Sequence, residues 1–291
     1  MKSSIQKRLF LVGCPRSGTT LLQSFLASHA EIKSFPESHF FRHLLEKQTP
    51  VRKQFGVAPK DIQNNFAKFL LEADAPAMVK HIPKRAIFSA QYACRFAQIL
   101  DEITQQAGQS IWLEKTPDHL FYADYIEKHI DSACFIHILR KGSDVVASLY
   151  EVAQKYPQVW HGPWTIDYCI KKWLSSVELS LKQAQKENHL LVSYEQFIND
   201  PQAVLKTIFD FLDIKFEYEK LVSRQESCQL IGATAEPWKA AVSHSIYQSS
   251  DAKFQRIFNR SQQTYIQTCL QTYLDGALKM SVTNPLFAPA I

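Results

Sequence analysis

RLFLVGCPRSGTTLLQSFL, residues 8–26, runs from an apolar stretch through a glycine-bearing turn into a second, helically periodic apolar stretch. Lys7–Val12 reads as a buried strand, and the run from Leu21 as the body of a helix. Between them Gly13 and Gly18 stand five apart, and Thr20 supplies a hydroxyl. This is the frame of the phosphate-binding loop G-x-x-x-x-G-K-[ST], in which a tight turn presents an anion to the free N–H groups of a helix start. The lysine of that frame is missing, because Thr19 occupies its place. In nucleotide triphosphatases the lysine neutralises β/γ-phosphate charge and the next hydroxyl holds Mg²⁺, so its loss argues against that chemistry. The local cation is Arg16, whose planar fork of donors suits a tetrahedral oxyanion and stays charged at any working pH.

Strand-type runs at Lys7–Val12, Glu31–Phe35, Ser110–Glu114, Ala133–Leu139 and His189–Ser193 alternate with helical patterns. That alternation predicts an α/β fold of three layers, a P-loop-like arrangement with a central parallel β-sheet of about five strands flanked by helices. Asp200 before Pro201 predicts an N-cap and an N1 proline opening a helix over Gln202–Leu212. Ser143 is expected to cap a helix over Asp144–Gln154, with Asp144 in its favourable first turn. A helical insert of about residues 37–109 separates the second and third strands. It is expected to form helices at Ser38–Glu46, Asp61–Glu72 and Ala86–Gln106, broken by Pro50, Pro59, Pro76 and Pro83. An insert at the carboxyl ends of the strands is where open α/β folds usually build an acceptor site. With 291 residues, 46% hydrophobic and 21% charged, the chain is expected to be a single domain, 1–291, with a C-terminal helical segment from about 213 to 291.

The net charge of +5 and pI of 8.8 arise from dispersed Lys and Arg, with no run of five or more. This is too diffuse for a nucleic-acid footprint but suits an anionic ligand. The six cysteines (Cys14, Cys94, Cys134, Cys169, Cys228, Cys269) form no C-x-x-C pair and fit neither a zinc site nor a disulfide framework, so reduced, mostly buried thiols are expected. No signal h-region or membrane span is visible, and the expectation is a soluble, cytoplasmic protein.

Three further stretches carry chemistry. SFPESHFF places Glu37 just past the second strand, where a carboxylate could take a proton or merely open a helix. WLEKTPDHL sets Lys115 at the end of the third strand, as a crevice cation or as a solvated lysine paired with Glu114 or Asp118. FIHILRKGSDVVASLY puts Arg140 at a strand end and Ser148 eight residues on, a second anion site or a sheet-edge arginine and a packed serine. His39 and His43, at i and i+4, read as ordinary helix residues, since no partner with metal-ligand spacing accompanies them. Trp160, Trp164 and Trp173 read as core, and Lys80, His81, Lys84 and Arg85 as a solvated basic face.

Taken together, Gly13–Thr20, the Lys115-Thr-Pro117 segment and the Arg140…Ser148 pair resemble the sulfotransferases that use 3′-phosphoadenosine 5′-phosphosulfate (PAPS). The Pro-Arg-Ser-Gly-Thr-Thr form and the nearby Glu37 are most similar to the branch of tyrosylprotein, carbohydrate and many bacterial sulfotransferases. The resemblance implies that Arg16 and the amides of Ser17, Gly18, Thr19 and Thr20 grip the 5′-phosphosulfate, that Arg140 and Ser148 hold the 3′-phosphate, and that Tyr194 in SYEQFINDP approaches the nucleotide. It implies PAPS as donor, no metal, and a small-molecule, carbohydrate or peptide acceptor offering a hydroxyl or an amine. The cytosolic small-molecule branch places a catalytic histidine two residues after the third-strand lysine, but here that position is Pro117 and His119 is out of register. Glu37 is therefore the implied base, with Lys115 and Arg16 stabilising developing charge. A P-loop kinase with a displaced cation, and a nucleotide-binding module without turnover, remain the alternative readings.

Overall fold

A computed structural model of the protein describes residues 4–46, 50–219, 221 and 251–278. Its strands are β1 (Lys7–Gly13), β2 (Ile32–Ser34), β3 (Ile111–Glu114), β4 (Ala133–Leu139) and β5 (His189–Ser193). They form one five-stranded sheet in the order β2-β3-β1-β4-β5. The β1–β3 ladder is parallel, from Lys7 opposite Ile111 to Phe10 opposite Glu114, and so is β2–β3, from Ile32 opposite Ile111 to Ser34 opposite Leu113. Parallel neighbours need crossover connections, and the intervening helices supply them. β3 and β4 are buried at every residue, as strands covered on both faces must be.

By packing, the chain divides into two compact units. The first comprises the residues up to Val12 together with Gln23–Phe135. It carries α2 (Phe40–Leu45), α3 (Pro50–Gln54), α4 (Ile62–Glu72), α5 (Ser89–Gln106), α6 (Ala123–His129) and 3₁₀ turns at Pro76–His81 and Pro117–Tyr122. Aromatic side chains dominate its core. Phe10 meets Trp112 edge-on at 5.1 Å, and Phe40 stacks on Phe96 at 4.3 Å between centroids. Pro50 and Pro76 open helical turns rather than merely breaking the pattern, since an N1 proline loses only an amide that has no helical acceptor. The helix expected from Ala86 starts at Ser89 instead. Ile87 O and Ser89 N are engaged at 2.8 Å by Ala58 N and Gly56 O, which holds the preceding residues extended.

The second unit comprises Gly13–Leu22 and the residues from Ile136 onward. It contains α7 (Gly142–Lys155), α8 (Pro157–Trp160), α9 (Ile166–Gln183), α10 (Tyr194–Asn199), α11 (Pro201–Leu212) and two further helices, Asp251–Ile257 and Arg260–Leu278. Val145, Leu149, Trp173 and Val177 pack there with Phe254, Phe258, Ile266 and Leu270, and Trp160 and Trp164 lie half-buried on the same cluster. A Cβ at Gly142 would come 2.9 Å from Leu270, so α7 opens on glycine for close packing. Ser143 is not the N-cap expected of it: α7 begins at Gly142, two residues before the expected Asp144, with Lys141 at the cap position and no side-chain cap bond. Asp144 does lie in the first turn, and Asp200 does cap α11, accepting from Ala203 N at 3.0 Å.

Cys14, Cys134 and Cys169 are buried, whereas Cys94 is exposed. Burial pushes the Cys134 and Cys169 thiols up to about 12. Cys228 and residues 220, 222–250 and 279–291 of the expected C-terminal helical segment lie outside the described residues. Among the described residues no helix is long and apolar enough to cross a membrane.

Candidate active site

β1 runs directly into the glycine-bearing loop. Gly13 has φ 151°, and a Cβ there would stand 2.6 Å from the Ile138 carbonyl. Arg16 takes the left-handed region at φ 73°, and Ser17 N closes the turn onto Cys14 O at 3.2 Å. Gly18 follows at φ 95°, and a Cβ on it would overlap the ring of Tyr194. Helix α1 (Thr19–Ala27) then begins, and the first amides of any helix lack an intrahelical acceptor. The loop thus combines backbone donors with the positive end of a helix dipole.

Side chains of the same unit complete this cluster. Arg16 Nε donates to Ser148 Oγ at 3.1 Å, so Ser148 meets Arg16 directly. The Arg140 guanidinium lies over the Tyr194 ring at 4.3 Å, with its Nε 3.6 Å from Asp144 Oδ2. Arg16, Ser17, Gly18, Thr19, Thr20, Arg140, Ser148 and Tyr194 are therefore all carried by this one unit. Ser17 Oγ is buried without a hydrogen-bond partner, and so are Arg140 Nε and Ser143 Oγ. Buried polar atoms are normally satisfied, so the Ser17 hydroxyl left without a partner next to Arg16 in the loop fits an anionic ligand. Glu195 is a functional neighbour the sequence reading missed. It accepts from Lys141 N at 2.8 Å and from Ser193 Oγ at 3.2 Å, fixing the turn that carries Arg140. Its only signal was its place beside Tyr194 in SYEQF.

The other cluster belongs to the first unit. Lys115 is 1% exposed, and its ammonium contacts the Glu37 carboxylate. A buried cation without a close anion would be strongly unfavourable, so this pair is obligatory. Burial excludes the solvated-lysine alternative, and the ammonium meets Glu37 rather than solvent. Glu114 accepts from Ser38 N, Ser38 Oγ, Thr116 Oγ1 and His119 Nδ1. Burial alone would raise its carboxyl, but His119, Thr116 and Ser38 together hold it below the ordinary range. His119 lies on the 3₁₀ turn that Pro117 opens and is fully buried. Its Nε2 accepts from Phe41 N at 3.3 Å, which leaves Nδ1 to donate to Glu114. His39 is no helix residue but the left-handed residue before α2, at φ 48°. Its Nε2 stands 3.6 Å from Glu37 Oε2, and desolvation, opposed by the Glu37 charge, lowers its pKa.

A phosphate loop without its lysine, with two arginines in its own unit, sets this chain apart from the P-loop triphosphatases, and the other unit carries a carboxylate–ammonium pair. Comparison with known proteins narrows this further, since the model of the sulfotransferase family matches residues 8–218. The chain belongs to the sulfotransferase family.

Protein-tyrosine sulfotransferase A of Caenorhabditis elegans is 25% identical over 236 residues, covering 77% of this chain and 53% of that protein. The nodulation protein NoeE of Sinorhizobium fredii is 28% identical over 160 residues, covering 55% of this chain and 33% of that protein. The chain thus spans about half or less of these relatives' own length. Among solved structures, the sulfotransferase domain of the Synechococcus olefin synthase superposes with a TM-score of 0.61 at 20% identity, covering 92% of this chain and 96% of that one. A mouse sulfotransferase complexed with PAP gives 0.54 at 15% identity, covering 95% and 87%. At such identities these structures speak for the fold.

Proposed function

We propose that this protein transfers a sulfuryl group from PAPS to an acceptor hydroxyl, with Glu37 as general base and no metal. The observation that carries the reading is the pair of buried Lys115 and partly exposed Glu37, a cation and a proton acceptor joined just past the carboxyl ends of adjacent parallel strands. The acceptor oxygen attacks sulfur while Glu37 takes its proton. As the new S–O bond forms, the bond from sulfur to the bridging phosphate oxygen breaks, and 3′-phosphoadenosine 5′-phosphate leaves. Charge then grows on the bridging and equatorial oxygens, where Lys115 and Arg16 act by electrostatic stabilisation. Arg16 and the amides of Ser17, Gly18, Thr19 and Thr20 hold the 5′-phosphosulfate, Arg140 and Ser148 hold the 3′-phosphate, and Tyr194 lies against the nucleotide. The acceptor is a small molecule, a carbohydrate or a peptide bearing a hydroxyl or amine.

The test is incubation of the protein with ³⁵S-labelled donor, in EDTA, and a panel containing a tyrosyl peptide, a phenol, an amino sugar and an alkyl alcohol, with products identified by mass. Labelled product is expected without added metal. Phosphorylated product from ATP–Mg²⁺ would move the protein to the kinases, and donor binding without product from any member would favour a binding module. A general base contributes typically about 10²- to 10⁴-fold, so Glu37→Gln should lower kcat by that order and leave the affinity for 3′-phosphoadenosine 5′-phosphate unchanged.

A further inference from the structure

Glu114 and His119 have no part in the transfer just described, although both are completely buried. Burying a carboxylate is costly unless its lone pairs are all engaged. At Glu114 they are engaged by groups that reach one short stretch of backbone. Oε1 accepts from the Ser38 amide at 3.0 Å, the Ser38 hydroxyl at 2.8 Å and the Thr116 hydroxyl at 2.5 Å, and Oε2 accepts from His119 Nδ1 at 2.8 Å. Each of those side chains has given its proton to Glu114 and therefore presents a lone pair elsewhere. Thr116 Oγ1 accepts the His39 amide at 3.2 Å, Ser38 Oγ accepts the Phe40 amide at 3.2 Å, and His119 Nε2 accepts the Phe41 amide at 3.3 Å.

Every backbone N–H from Ser38 to Phe41 is thus held by Glu114 or by a group tethered to it. The His39, Phe40 and Phe41 amides lie at the start of α2 and have no acceptor within the helix. Helices usually meet that need with one N-cap side chain, but here the end of a neighbouring strand meets it. The end of β3 and the two residues after it divide the work: Glu114 and Thr116 engage the 38–41 backbone, whereas Lys115 between them takes the carboxylate of the residue just before it, Glu37.

We infer that Glu114 is a positioning residue for the general base: through Ser38, Thr116 and His119 it fixes the backbone that carries Glu37, so that the Glu37 carboxylate is held in the orientation that accepts the acceptor proton. The inference rests on Glu37 being the base. Glu114→Gln replaces one acceptor oxygen with a donor amide, so at least one of those tethers is lost. Misplacement of a reacting group by about 1 Å can cost 10²-fold, and Glu114→Gln is expected to lower kcat by about 10- to 100-fold with the donor KM unchanged.

Labelled PAPS is the probe, with turnover read per folded molecule on the acceptor that the panel yields and, in parallel, as hydrolysis to labelled sulfate. The decisive variant is Glu37→Gln/Glu114→Gln. A residue acting through Glu37 adds nothing once Glu37 is gone, so the double variant should be no slower than Glu37→Gln alone. Multiplying losses would assign Glu114 a role independent of the base, and unchanged kcat in folded Glu114→Gln would overturn the inference outright. If Glu114→Gln does not fold, Thr116→Val removes one tether and meets the same two criteria. Normal turnover in Glu37→Gln would instead overturn the base reading on which the inference stands.

Discussion

Gly18 shows how much one residue can carry in this site. Its φ of 95° is a conformation that side-chain-bearing residues rarely adopt, and the space where a Cβ would lie belongs to the Tyr194 ring. Gly18→Ala therefore meets two separate penalties: about 1–3 kcal/mol of backbone strain and displacement of the tyrosine on which Arg140 rests. The expected result is a lower melting midpoint and loss of binding to 3′-phosphoadenosine 5′-phosphate. Tyr194→Ala in the same chain should restore part of the midpoint, because it removes the overlap but not the strain. Arg140 itself allows a sharper test of how the donor is told from ordinary adenine nucleotides. If it holds the 3′-phosphate, Arg140→Ala should weaken binding of the bisphosphate by about 1.5–3 kcal/mol, the usual worth of a hydrogen bond to a charged group. Binding of adenosine 5′-phosphosulfate, which lacks that phosphate, should barely change. Calorimetry with both ligands checks this, and an equal loss for both would return Arg140 to a structural role.

At the scale of elements, Asp200 and Pro201 illustrate signals that are complete within the sequence. The proline fixes the first helical φ and the aspartate supplies the missing acceptor, so α11 begins where two adjacent residues say it does. Asp200→Ala should cost about 1 kcal/mol in urea unfolding, with an unchanged m-value. Ser143 carried a similar local signal and was displaced, because tertiary contacts decide the start of α7: Glu195 takes the Lys141 amide, and Gly142 lets Leu270 and Trp173 close in. The strands were legible to within a residue or two, since apolar runs bounded by turns need no partner to be recognised. The site was legible in its motifs but not in its supports. Glu114 beside Lys115 looks in sequence like a surface ion pair. Only the burial of both residues and their separate partners reveal that they engage different groups. Glu195 was hidden for the same reason, as a charged residue whose partner is a backbone amide distant in sequence.

For the molecule as a whole, the response to acid follows from buried groups held in one protonation state. His137 on β4 is completely buried, its ring against Ser180 Oγ at 3.2 Å and His189 Nδ1 at 2.7 Å. Desolvation, reinforced by His189 and Lys186, lowers its pKa well below 6.5. A histidine with a depressed folded-state pKa is neutral in the native protein, whereas the unfolded chain binds a proton below about pH 6.5. Its contribution is therefore fully present above that pH and declines as the pH falls toward the folded value. One unit below 6.5 the loss approaches about 1.4 kcal/mol per group, and between pH 7 and 5.5 it is about 1 kcal/mol. For a chain of this size that corresponds to about 2–4 °C in Tm. Glu114 adds a second stage at lower pH. Its pKa is also depressed, so its stabilisation is present above about 4.5 and is lost as the pH drops below that. Melting measured from pH 7.5 to 4 should accordingly show a shallow decline starting near pH 6.5 and a steeper one below about 4.5. His137→Asn is expected to melt lower at pH 7, since it leaves Ser180 and His189 poorly matched, but with a flatter profile between pH 7 and 5.5. A variant profile parallel to the parent's across that window would show that His137 is not the group that titrates.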